Sequence, residues 1–172
     1  MASRLKLFEI PIEKYINDMD TESLKEKENE ILDVFRNSNN LHCKEEFEEI
    51  EENLHDLCTL GDVELIKIYL SETIHNDSKD LIFKIDKINQ TASLFKVNND
   101  VDQIIVPKIV KYKSINYLIT SISGIRCNHI KTIKFEDDSS VSTIYRNAFS
   151  SSKIEEIYFP QSLVELKEGW CC

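Results

Sequence analysis

The chain has 172 residues, 41% of them hydrophobic, and a formal net charge of −10. That composition supports packed cores in one domain or two small ones. It speaks against a nucleic-acid partner, because neither half is basic enough to supply the clustered Lys/Arg that neutralises phosphates.

Charge is unevenly spread. Residues 1–75 carry 8 Lys/Arg against 19 Asp/Glu, and residues 76–172 carry 13 against 12. The asymmetry predicts two segments, 1–75 and 81–172, joined by the polar, turn-forming run around His75-Asn-Asp-Ser-Lys-Asp80. No apolar run has the length of a signal-peptide core or a membrane span, so the default expectation is a cytoplasmic chain without a transmembrane segment. Five cysteines, odd in number and scattered, fit reduced thiols better than a disulfide framework.

The acidic segment reads as helices. From Thr21 to Phe35, a capping-box pattern at Ser23 and Glu26 precedes an apolar stripe of Leu24, Ile31, Leu32 and Phe35. A second stripe, Cys43, Phe47, Ile50, Leu54 and Leu57, advances by four, three, four and three residues, and six glutamates between Glu45 and Glu52 take the opposite face. Those glutamates read either as the solvated side of a surface helix or as an acidic docking face. Gly61 then supplies a turn, and Asp62 is placed to cap a helix over Val63 to Leu70.

The run Leu54-His55-Asp-Leu57-Cys58-Thr-Leu-Gly61-Asp62-Val63-Glu64-Leu65-Ile66-Lys67 resembles the helix pair of a single ankyrin repeat, over about residues 53–72. The Thr-Pro that opens such a repeat is replaced by Glu52-Asn53, and no following hairpin sequence is present. A general helical hairpin accounts for the same residues.

From residue 81 the apolar period changes from 3.6 to 2. Leu81 to Ile85 and Ala92 to Val97 predict two strands joined as a hairpin through Asp86 to Gln90. Further strands are expected at Gln103 to Pro107 and Tyr117 to Ile122. Beyond them the chain repeats itself. Ile130-Lys-Thr-Ile133-Lys-Phe135 returns as Ile154-Glu-Glu-Ile157-Tyr-Phe159, and Ile122, Ile144 and Leu166 stand 22 residues apart. A fixed period of this size marks stacked repeat units, and the extra residues at Glu136 to Ser140 fall in a loop.

Val106-Pro107, Ile133-Lys-Phe135, Ser140-Val-Ser-Thr-Ile144 with Asn147-Ala148-Phe149, and Ile157-Tyr-Phe159-Pro160 with Ser162-Leu163 resemble the BspA-type leucine-rich repeats. The resemblance covers about residues 81–172. It implies an α+β chain: an N-terminal α-helical segment followed by a short β-rich leucine-rich-repeat solenoid. It also implies that Ile133, Phe135, Ile157 and Phe159 enter the core from short strands, that Ile144 and Leu166 form a second core layer, and that Ala148-Phe149 plugs the turn. Tyr145 and Lys167 stand where the family has Gly, and Gly169-Trp170 replaces the last Ala-Phe. Proteins of this type are often displayed on cell surfaces, some as adhesins, so a surface location is the alternative expectation.

Functionally, the repeat points to a protein-interaction module, with a surface adhesin or the opening part of a longer repeat array as alternatives. Alternation nominates Lys131, Lys134, Glu155 and Tyr158 as the outward face. No catalytic, cofactor-binding or metal residues are assigned. Three glycines cannot build a phosphate cradle. His42, Cys43, His55 and Cys58 match no zinc-finger spacing, and Glu136, Asp137 and Asp138 lack the spacing of a calcium loop. The sequence stops inside a unit, so an apolar edge with Trp170 uncovered is expected, and with it end-to-end self-association.

Overall fold

The computed structural model describes residues 23–37, 44–76, 80–98, 101–125, 129–150 and 152–171. The chain divides into two compact units at Glu72/Thr73.

Three helices build the first unit: α1 (Leu24–Arg36), α2 (Lys44–Leu60) and α3 (Val63–Leu70). The predicted stripes meet in one core, where Leu24, Ile31 and Leu32 of α1 pack with Ile50 and Leu54 of α2 and Ile66 and Leu70 of α3. Phe47, Leu57 and Cys58 pack against it half-buried. Cys43 and the side chain of Phe35 lie outside the described residues. Arg36 ties α1 to α2 at the surface, bonding Asp33 at 3.1 Å and Glu51 at 3.2 Å with its guanidinium 5.1 Å from the Phe47 ring.

The α2–α3 turn forms as its residues dictate. Gly61 adopts a φ of 71°, and its N–H reaches the carbonyls of Leu57 and Cys58, both at 3.2 Å. Asp62 then accepts the Leu65 N–H at 3.1 Å as the N-cap of α3. An eight-residue helix has few bonds to spare, so Asp62→Ala is expected to destabilise the helical unit by about 1 kcal/mol, read as a lower urea midpoint in α-helical circular dichroism.

The second unit is built from strands. A short β1 (Glu72–His75), which the sequence reading had placed within the helical segment, pairs with β2 (Leu81–Asp86). The expected hairpin joins β2 to β3 (Thr91–Val97), antiparallel. Its turn is closed by the Asp86 carboxylate, which accepts the N–H groups of Ile88 at 2.9 Å and Asn89 at 3.1 Å, and Gln90 completes it at φ 52°.

The chain then winds between two sheets. It passes through β4 (Gln103–Val106), β5 (Ile109–Tyr112), β6 (Ile115–Ile122), β7 (Thr132–Phe135), β8 (Thr143–Ile144), β9 (Glu156–Ile157) and β10 (Glu165–Leu166). One sheet runs β1-β2-β3-β6-β8-β10 with β5 attached to β6, and the other runs β4-β7-β9. From β3 onward the first sheet is parallel along this path, as is the whole second sheet. β5 was not anticipated: Lys113 and Ser114, with φ of 47° and 66°, form the two-residue turn between it and β6 without the usual Asn-Gly pair.

The 22-residue spacing is a hydrogen-bonded register. Leu94 pairs with Ile122, Ile122 with Ile144, and Ile144 with Leu166. The amides repeat with it: the Ile122 carbonyl accepts the Tyr145 N–H and the Ile144 carbonyl accepts the Lys167 N–H, both at 2.9 Å. Asn147 and Gly169, also 22 apart, both take left-handed backbone, at φ 57° and 71°. In the second sheet Ile104, Ile133 and Ile157 stand in register. The inward side chains form one core that includes Phe83, Leu94, Ile104, Ile122, Ile133, Ile144, Ala148 and Phe149. Close stacking is visible at Gly124, where a Cβ would lie 2.7 Å from the Phe95 carbonyl oxygen.

Ile133, Ile144, Ala148 and Phe149 are buried as expected, whereas three other assignments need correction. Phe159 lies beyond β9 and Leu166 is 41% exposed, because no rung among the described residues stacks on β9 or β10. Trp170 is not uncovered. It is half-buried, edge-on to Phe149 at 5.6 Å and to Phe159 at 5.8 Å. The exposed apolar residues of this last turn are instead Phe159, Val164 and Leu166.

Candidate interaction face

Side chains in a strand alternate between faces, so while Ile104, Ile133 and Ile157 point into the core their neighbours point out. Register sets the outward residues in columns. Gln103, Thr132 and Glu156 form one. Ile105 and Lys134 form the next, continued by Tyr158, whose N–H meets the Ile133 carbonyl at 2.9 Å.

Two of the four nominated residues meet here. The Lys134 ammonium lies 5.5 Å from the Tyr158 ring centroid, a cation–π contact. The Tyr158 hydroxyl donates to Glu156 Oε2 at 3.0 Å, and that bond, followed by the carboxylate's charge, raises the hydroxyl's pKa. Tyr158 remains 54% exposed and Ile105 is exposed beside Lys134, so the column offers an aromatic ring, an aliphatic side chain and an ammonium on a rigid backbone.

Lys131 and Glu155 are exposed but sit one residue before their strands. There the Lys131 N–H reaches the Asp102 carbonyl and the Glu155 N–H reaches the Lys131 carbonyl, both at 2.8 Å. They line the entrance to the strands and leave the strand face to Thr132, Lys134 and Glu156. The signal for the missed pair was present: the 24-residue step that maps Ile133 onto Ile157 also maps Thr132 onto Glu156.

The remaining polar clusters are placed as follows. His55 is exposed, with Nδ1 3.0 Å from Glu28 Oε1. Cys58 is half-buried, and desolvation, aided by the Glu28 charge, pushes its thiol up to about 11. His42 and Cys43 lie outside the described residues. No three His, Cys, Asp or Glu side chains among the described residues converge as a metal site. Glu136 accepts the Lys108 N–H at 2.8 Å, bracing the loop before β5. No helix among the described residues is long and apolar enough to cross a membrane.

No family model matches the chain, and no curated protein matches it. Among solved structures, it is similar to a leucine rich cell surface protein from Faecalibacterium prausnitzii A2-165, with 16% sequence identity and a TM-score of 0.34. The likeness covers 58% of this chain, which spans 40% of that one.

Proposed function

We propose that the chain is a non-catalytic protein-interaction module whose second unit is a short solenoid of leucine-rich-repeat type. The observation that carries the proposal is the in-register outward face of β4, β7 and β9, where Ile105, Lys134 and Tyr158 stand in one column above the inward ladder of Ile104, Ile133 and the half-buried Ile157. Stacked short strands hold their outward side chains at fixed spacing without ordering a loop, so a partner meets a preorganised surface. Exposed Tyr, a positioned Lys and an aliphatic neighbour are the residue types that anchor protein contacts.

The test is quantitative affinity capture with the full chain. Lys134→Glu should reduce recovery of a bound protein about tenfold, since the substitution also removes the cation from the Tyr158 ring. Glu48→Lys, on the exposed side of α2, is the control and should leave recovery unchanged. Equal loss from both variants, or from neither, would sink the assignment of this face.

A further inference from the structure

The β5–β6 hairpin carries a feature that the strand-bearing face does not use. Residues 103–135 contain six Lys/Arg, at 108, 111, 113, 126, 131 and 134, and no Asp or Glu, within a chain of net charge −10. The nearest acidic contact is Glu136, whose carboxylate takes the Lys108 N–H at the start of β5 and leaves Lys111 and Lys113 at its other end. Three of the six sit on or beside β5, namely Lys108, Lys111 and Lys113. No salt bridge involves Lys111 or Lys113 among the described residues, and the Lys113 ammonium lies 5.0 Å from the Tyr112 ring.

The strand is also an open edge, for β5 pairs with β6 alone among the described strands. The Lys108 carbonyl accepts the Ile119 N–H at 2.9 Å, and Ile109 stands opposite Leu118 in the antiparallel register. Bonded and non-bonded positions alternate in such a pair. Val110 and Tyr112 therefore turn their amides toward β6, as Lys108 does its carbonyl while its N–H goes to Glu136, and Ile109 and Lys111 turn theirs away. Side chains follow the same order. Val110 and Tyr117 are buried in the core, and Ile109 and Lys111 face outward, Ile109 being 45% exposed.

We propose that β5 takes an acidic, extended protein segment by strand addition, independently of the face formed by β4, β7 and β9. The free N–H and C=O groups of Ile109 and Lys111 supply the ladder, Ile109 supplies the apolar contact, and Lys111 and Lys113 select for carboxylates. Lysine on an edge strand repels neutral or basic sheet edges, and an acidic strand is the partner for which the same charges are attractive. A polyanion that is read by charge alone is disfavoured, because a patch of three lysines faces the repulsion of an acidic chain.

The probe is a fluorescein-labelled peptide of alternating Asp and Val, titrated against the full chain by anisotropy, with a Lys-Val peptide and a single-stranded oligonucleotide as comparisons. Saturable, salt-sensitive binding of the Asp-Val peptide alone is expected. The double variant Lys111→Glu/Lys113→Asn should weaken it about tenfold, and Asn suits the left-handed turn position of Lys113, so the hairpin is kept. Ile109→Pro removes both the outward N–H and the apolar side chain and should weaken binding, while the bonds to β6 made by Lys108, Val110 and Tyr112 are kept and the melting temperature changes little. The proposal is overturned if the Asp-Val peptide does not saturate, if both variants bind it as the parent does, or if the oligonucleotide binds equally well.

Discussion

Replacing Phe149 with alanine is expected to destabilise the second unit by about 3–5 kcal/mol, seen as a lowered denaturation midpoint of its β-sheet signal. Phe149 is 3% exposed, belongs to the core shared by both sheets, and meets the edge of Trp170 at 5.6 Å. Truncation removes a ring that these neighbours cannot replace, because the backbone around them is fixed by the ladder: the Ile125 N–H bonds the Ala148 carbonyl at 2.8 Å and the Phe149 N–H bonds the Trp170 carbonyl at 3.1 Å. Phe159→Ala is the matched comparison. Its ring is 43% exposed and should cost less than about 1 kcal/mol. Equal costs at the two positions would show that the assigned register is wrong.

Replacing Lys84 with methionine is expected to remove a rise in stability between about pH 7 and pH 10. Lys84 is buried in β2, opposite Ser93 of β3, with its ammonium 4.9 Å from the Phe95 ring. Burial lowers its pKa from 10.5 to about 7. Between those values the unfolded chain holds a proton on this side chain that the folded chain does not, so stability rises with pH through that window. Below about pH 7 the side chain is charged in both states, and stability no longer changes with its titration. Methionine keeps the unbranched stem, and it removes the ammonium. In urea titrations at a series of pH values, the midpoint of the parent should rise from about pH 7 toward pH 10 relative to that of the variant. A difference between variant and parent that does not change with pH would contradict the burial of a titrating ammonium.

How much of this was legible in the sequence depended on which residues decide each feature. Gly61 and Asp62 announced the α2–α3 turn because both act through their own backbone or side chain on the next few residues. Ile122, Ile144 and Leu166 announced the ladder through an even step, which register then fixed. Leu166 and Phe159 were misjudged because burial in a stack is conferred by the rung that follows, not by the residue's own hydrophobicity. β5 escaped notice for another reason: it follows Pro107 closely, and its turn uses Lys113-Ser114, whose left-handed conformations nothing in their chemistry signals. On the candidate face, Lys134 and Tyr158 were found by alternation, whereas Lys131 and Glu155 were displaced by the strand's starting one residue later than assumed.

The parallel ladder also gives the molecule a direction of disassembly. Among the described strands, β3 is held on both sides, by six pairings with β2 and four with β6, whereas β10 is held on one side by two pairings with β8. Each rung after β6 is thus anchored chiefly by the one before it, and the free energy of local opening falls step by step from the hairpin toward residue 171. Among the described strands, opening that starts at β10 and stops at β6 strips Tyr158 first and Lys134 after it, and leaves β5 paired with β6.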